Sequence, residues 1–269
     1  MAEVHAALPS LLSALVCPDD GTPVVADSPQ QVRCPQCGRV MASDTGIFRM
    51  LPADPGWGTA EVADATAERV QRDQEAQQYD RLVGLRLLSP WELPATLRPL
   101  QIGRGDRVLE VGCGTGRFTV PVAERCGELL AVDHSLESLR VLQRKLSRAA
   151  ASNVLLVQGD ATRLPIRDTW ATRALSCQML EHLPSAEMRA CAVAEMARCL
   201  EPGGRLALSG YWHAPVLGGM LPRDGKHSGV IYFHRFTRSE LWELLARHFT
   251  VERISGRLVY ILLAHGRKR

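Results

Sequence analysis

A carboxylate stands two residues ahead of a glycine-rich turn in VLEVGCGTGRFT, Val108 to Thr119. Glycine turns that open a helix usually offer backbone N–H groups to phosphate, and an acid at Glu110 would repel one. The dinucleotide spacing G-x-G-x-x-G is also broken. Gly112 and Gly114 fit it, but the third position holds Arg117, whose side chain obstructs close packing of helix on strand. A P-loop would continue into Gly-Lys-Ser/Thr, and this turn does not. The chemistry left to Glu110 is attraction of positive charge, so the expected ligand is cationic nearby, as an ammonium with a sulfonium centre would be.

Two more acids close apolar runs. Asp133 ends ELLAVD, where a carboxylate can accept both hydroxyl protons of a ribose. Asp160 follows NVLLVQG, and a side-chain acceptor followed by the free N–H of Ala161 can read an adenine edge. Residues so placed need strands that deliver them to one edge. RVLEVG, ELLAVD, NVLLVQGD, ATRALSC and GRLALSG are short buried-strand runs separated by helical stretches. Met188, Ala192, Met196 and Leu200 recur every four residues after Ser185 and predict one helix, stopped by Pro202-Gly203-Gly204. Thr237 with Glu240 reads as a capping box ahead of Leu241, Leu244 and Leu245. This alternation predicts an α/β fold, a doubly wound, mostly parallel sheet with helices on both faces.

A chain of 269 residues with 46% hydrophobic content has room for a real core. Its formal charge of +3 lacks the concentrated positive charge of a dedicated nucleic-acid binder. The apolar stretch from Ala6 to Val16 has no basic residue before it and is too short to span a bilayer, so the expectation is a soluble, cytoplasmic protein without a membrane partner. Cys113, Cys126, Cys177, Cys191 and Cys199 fall within the α/β pattern, which argues against a disulfide framework. Texture divides the chain into a turn-rich ribbon over 1–52, a linker and polar lid helix over 53–78, and the α/β region over 79–269.

Taken in order, VLEVGCGTG, AVD, GDATRLP, SCQMLEHLP and LEPGGRL resemble the class I methyltransferases that use S-adenosylmethionine. The resemblance runs from about Tyr79 to the C-terminus. It implies a seven-stranded Rossmann-like sheet with a final antiparallel hairpin, which VERISG and LVYILLA could supply. It also implies that Glu110 and the backbone of Gly112, Cys113, Gly114 and Gly116 hold the methionine part. By the same likeness Asp133 takes the ribose, Asp160 with Ala161 takes the adenine, and His134 and Gln178 complete the cofactor set.

Methyl transfer from a sulfonium is an in-line displacement that needs alignment, desolvation and sometimes removal of a proton. His182, Tyr79, His213 and His234 are the candidate bases. Relatives with E-x-x-E-H bind a divalent metal, but here Gln178 takes the first acid position and leaves Glu181 and His182. The long segment from Tyr211 to Phe236 is expected to contact the acceptor through Tyr211, Trp212, His213, Tyr232 and His234, with Phe233 and Phe236 packing.

LVCPDDGTPVV and VRCPQCGRVMASDTGIFRMLP resemble the zinc-ribbon-like domain of the tRNA-methyltransferase activator family. Those relatives carry two Cys-x-x-Cys turns, whereas Cys17 is followed by Asp20, and Cys34 by Cys37. The alternatives are a structural zinc site of Cys17, Asp20, Cys34 and Cys37, or a metal-free ribbon. The leading expectation is a methyltransferase for an oxygen, nitrogen or carbon of a small molecule. The ribbon and the tail GRKR motivate a tRNA or ribosomal RNA substrate, and a cofactor-binding regulatory subunit is the third reading.

Overall fold

The computed structural model describes residues 8–79, 83–216, 220–227, 229–257 and 259–269, giving backbone alone for 8 and 83–88. The five apolar runs form the centre of one sheet: β5 (Arg107–Val111), β6 (Glu128–Asp133), β7 (Val154–Gln158), β8 (Ala171–Cys177) and β9 (Leu200–Tyr211). Their interiors are buried on both faces, because helices cover both sides of a parallel sheet. The hairpin of β12 (Phe249–Arg257) and β13 (Ile261–Lys268) follows, with β13 antiparallel to β9.

The ribbon strands are β1 (Val25–Ser28), β2 (Gln31–Arg33), β3 (Val40–Asp44) and β4 (Ile47–Arg49). They join the same sheet. β4 lies parallel to β7, with Ile47, Phe48 and Arg49 opposite Leu156, Val157 and Gln158, so the order is β1-β2-β3-β4-β7-β6-β5-β8-β9-β13-β12. The seven strands implied by the family likeness are therefore part of an eleven-stranded sheet. Side-chain alternation sorts the core into two layers. Leu109, Leu130 and Val157 share a cluster with Leu11, Leu15, Phe48 and Met50 of the ribbon, while Val108, Leu129 and Leu156 point the other way toward Leu139 and Leu142.

The helices are α1 (Leu8–Leu12), α2 (Thr59–Glu75), α3 (Val83–Leu100), α4 (Thr119–Ala123), α5 (Leu136–Arg148), α6 (Ala186–Cys199) and α7 (Arg238–Ala246). Their starts are chemical: Ser135, Ser185 and Thr237 each accept a backbone N–H three residues on, and Thr237 with Glu240 closes the expected capping box. The helix over Met188, Ala192 and Met196 ends at Cys199, and Leu200 begins β9. No described helix is long and apolar enough to cross a membrane. Between β9 and α7 lies a separate hairpin, β10 (Asp224–His227) with β11 (Ile231–His234).

Candidate active site

β5 pairs with β6 on one side and β8 on the other, which places the topological switch, and hence the cleft, at the carboxyl end of β5. A cleft of about 170 Å³ opens there. Its loop is anchored from below: the N–H groups of Gly112 (2.8 Å) and Cys113 (3.1 Å) donate to the Val132 carbonyl. Gly112, Gly114 and Gly116 have φ of 76°, 51° and 88°, the left-handed region that favours glycine. A Cβ at Gly112 would come 2.5 Å from Met179 Cγ, and one at Gly116 would overlap Leu142. At Gly114 it would meet nothing within 4 Å, so the space above that residue is open to a ligand.

Glu110 lies in the cleft lining, 3% exposed, and its Oε2 is buried with no hydrogen-bond partner. Burial pushes its carboxyl up to about 8. Asp133 ends β6 with Oδ2 accepting from Gly114 N–H at 2.7 Å and Oδ1 from Ser135 N–H at 2.9 Å, so it holds the loop while facing the cleft. Asp160 Oδ1 accepts from the N–H and the hydroxyl of Thr162, both at 2.7 Å, and Ala161 lies beside it in the cleft wall. His134 is tied to the Ala65 carbonyl of α2 through Nε2 at 3.1 Å.

α2 lies along the cleft, contributing Ala65, Glu68 and Arg72, with Ala76 and Tyr79 just beyond its end. Asp73 pins it down by accepting from Ser135 Oγ (2.6 Å) and Glu137 N–H (3.1 Å) at the start of α5. Lys226 of β10 pairs with Asp64 of the same helix at 2.7 Å. The Arg72 guanidinium lies 5.6 Å from the Tyr79 ring centroid and 3.4 Å from Glu68.

The bases proposed from sequence separate. Tyr79 and His182 line the cleft; His213 and His234 do not. His182 is buried with Nδ1 donating to the Tyr232 carbonyl at 2.8 Å, and burial, helped by Arg72, lowers its pKa to about 3. Its lone pair is thus a weak base. His234 sits between Asp224 (Nδ1, 2.7 Å) and Glu240 (Nε2, 2.7 Å), an arrangement that leaves neither ring nitrogen for a substrate. Gln178 has φ of 55° and donates to Glu92 Oε2 at 2.9 Å, so its side chain turns to α3.

Glu92 was not singled out by the sequence. It is 2% exposed, pairs with Arg117 at 2.5 Å and accepts from Ser209 Oγ at 2.6 Å. Arg117, the residue that breaks the dinucleotide spacing, is drawn toward α3 by this pair. Pro90, Pro94 and Pro99 disguise α3 as a broken segment, since proline in a helix interior normally costs a hydrogen bond. Nothing in the spacing of residues 83–100 marks Glu92 as a buried acid.

The ribbon holds a second constellation. The ligand atoms of Cys17, Asp20, Cys34 and Cys37 lie within 4.8 Å of one another. Cys17 Sγ and Cys37 Sγ are 3.7 Å apart, and Cys34 Sγ is 3.3 Å from Asp20 Oδ2. A tetrahedral zinc with bonds of about 2.3 Å to sulfur and about 2.0–2.2 Å to oxygen has edges of about 3.8 and 3.5 Å. The donor set fits. Both turns also have one backbone plan: Cys17 N–H donates to Thr22 O (2.8 Å) and Cys34 N–H to Arg39 O (2.9 Å), with Gly21 and Gly38 at φ of 75° and 77°. All eight cysteines are free thiols.

A model of the methyltransferase domain family matches residues 108–204. An uncharacterized methyltransferase of Mycobacterium bovis is 34% identical over 143 residues, covering 50% of this chain and 51% of that protein. A demethylmenaquinone methyltransferase of Listeria monocytogenes is 28% identical over 154 residues, 54% of this chain and 63% of that protein. The chain thus spans about half to under two thirds of these relatives' length. Among solved structures, an S-adenosylmethionine-dependent methyltransferase from Aquifex aeolicus aligns with a TM-score of 0.58 at 16% identity, covering 73% of this chain and 98% of that one. A chain from the Haloferax volcanii complex of the Trm112 methyltransferase activator with a methyltransferase scores 0.58 at 17% identity, covering 73% and 97%. Residues 108–204 thus match the methyltransferase domain family, and the fold around them is that of solved S-adenosylmethionine-dependent methyltransferases.

Proposed function

We propose that the protein transfers a methyl group from S-adenosylmethionine to an oxygen, nitrogen or carbon of a small-molecule acceptor. The carrying observation is the buried Glu110 carboxyl, whose Oε2 has no hydrogen-bond partner among the described residues, beside the open face of Gly114. A cationic ligand gives that carboxylate a partner, whereas a phosphate would add repulsion. Bound S-adenosylmethionine supplies a methyl already activated by its sulfonium. Glu110 and the loop backbone would hold the amino-acid end, Asp133 the ribose hydroxyls, and Asp160 with Ala161 the adenine. The protein's remaining work is alignment and exclusion of water, which suits a helix laid over the cleft.

A small acceptor is favoured by that cover: α2 is tethered at Asp64, Ala65 and Asp73, which leaves little access for a folded nucleic acid. The demethylmenaquinone methyltransferase likeness points the same way. An RNA acceptor is the second reading, favoured by the two matched metal-type turns of the ribbon and the likeness to the activator complex. In either case Cys17, Asp20, Cys34 and Cys37 would hold a structural zinc, closed and remote from chemistry.

The deciding experiment is methyl-label transfer into cell extract split into RNA and small-molecule fractions, run beside S-adenosylhomocysteine calorimetry. Label in the small-molecule fraction supports the proposal, and label in RNA replaces it with the second reading. Binding without transfer to either would make the chain a regulatory subunit. Asp133→Ala should weaken the calorimetric affinity; unchanged affinity refutes the ribose assignment.

A further inference from the structure

Beyond the cleft floor, a second buried carboxylate lacks any partner. Glu181, in the single turn Leu180–His182, is 0% exposed, and neither of its oxygens meets a donor among the described residues. His227 Nε2, at the end of β10, is buried and unpartnered as well. Buried polar groups are normally satisfied, and two orphans near one ring call for a ligand that supplies the missing hydrogen bonds.

The ring is Tyr211, the last residue of β9. His182 and His227 meet it edge-on, each with centroids 5.6 Å away, and Tyr260 tilts against it at 5.1 Å. Phe233 stacks on His227 at 4.3 Å. Glu181 stands beside this group: a Cβ on Gly210 would lie 3.4 Å from its Oε2, so the bare glycine leaves room for the carboxylate. His182 belongs both to this cluster and to the cleft lining, which puts the cluster next to the cleft on the β8 side, away from Asp133 and Asp160.

We infer that Glu181 is the hydrogen-bonding contact of the methyl acceptor, and that the acceptor is a planar ring whose hydroxyl or ring N–H donates to it. This rests on the methyltransferase reading above and goes further by assigning the acceptor's chemistry. Flat faces suit aromatic walls, and a donor suits a carboxylate that has none. As the acceptor's oxygen or nitrogen bonds to the methyl carbon, the carbon–sulfur electron pair returns to sulfur and the acceptor's proton passes to Glu181. Burial holds this carboxyl at about 8, with Arg72 and Glu68 of α2, Glu92 of α3, and His182, Tyr211 and Tyr260 around it. An ionised Glu181 is therefore gained as pH rises through that value.

The test uses the full chain saturated with S-adenosylhomocysteine and two probes of one shape: 2-naphthol, which has the donor, and 2-methoxynaphthalene, which lacks it. The native protein should bind 2-naphthol about tenfold more tightly, the fold-change of one hydrogen bond to a charged group. Glu181→Gln should bind S-adenosylhomocysteine as the native chain does but, with only a neutral amide oxygen to accept, show a clearly smaller preference for 2-naphthol and no alkaline rise, and Glu181→Leu, which has no acceptor, should show no preference. If neither variant folds, His227→Ala, changed at a half-buried ring, should likewise keep the nucleoside and weaken 2-naphthol. Equal binding of the two probes by the native chain, or an undiminished preference in the variants, overturns the inference. Failure of the native chain to bind S-adenosylhomocysteine is a different result, since it removes the underlying reading.

Discussion

At the glycine-loop end of the cleft, nearly every polar group is engaged by backbone. Gly112 and Cys113 donate to Val132, Gly114 to Asp133, and Thr162 to Asp160, while Glu110 Oε2 has no partner among the described residues. At the β8–β9 end the contacts run through side chains on a turn, a hairpin and α2, and Glu181 and His227 carry atoms with no partner among the described residues. One end is fixed by backbone groups of a regular sheet and its turns, so its geometry follows from the fold. The other is built from side chains on separate elements, where a change of side chain alters the lining.

The largest effect expected from breaking this contrast is at the loop. Gly116→Ala drives a Cβ into Leu142 in a left-handed backbone, and urea unfolding should show a loss of about 3 kcal/mol, combining strain and overpacking. Gly114→Ala meets open space, so it should cost about 1 kcal/mol in stability while impairing S-adenosylhomocysteine binding far more. Next comes Glu110→Gln, which should weaken that binding by roughly ten- to a hundredfold in calorimetry, the value of a hydrogen bond to a charged partner.

pH tests both ends together. Burial lifts Glu110 and Glu181 from about 4.5 to about 8, so between those values the folded cofactor-free protein keeps protons that the unfolded chain has released. Its stability should therefore fall as pH rises through that window. Replacing either residue by glutamine should flatten the slope in pH-dependent thermal melts, and saturating S-adenosylhomocysteine should flatten the Glu110 share alone.

How much of this could be read beforehand follows the same division. VLEVG, ELLAVD and VLLVQGD carry their acids at strand ends because a parallel sheet imposes that spacing, and the capping residues Ser185 and Thr237 announced their helices. The Glu92–Arg117 pair, the α2 tethers and the ring group around Tyr211 join residues far apart in sequence. No local period encodes such contacts. The strand pairing of β4 with β7 was hidden for the same reason: IFR reads as a ribbon end until its partner is known.

Smaller effects should come from the periphery. If Cys17, Asp20, Cys34 and Cys37 hold zinc as proposed, Asp20→Cys should slow its loss to a chelator, and chelation should lower the melting temperature of the zinc-loaded chain by several degrees. Lys226→Ala breaks a partly exposed ion pair with Asp64 and should cost under about 1 kcal/mol, seen only as faster proteolysis of the α2 segment.

The parallel seam between Ile47–Arg49 and Leu156–Gln158 has a practical outcome for anyone trimming the chain. Cutting away the first 52 residues would strip one side of β7 of its backbone partners and uncover Leu130 and Val157 beneath Phe48 and Met50. Such a bare border is a template for strand addition by another molecule, so the shortened protein should self-associate or precipitate more readily than the full chain.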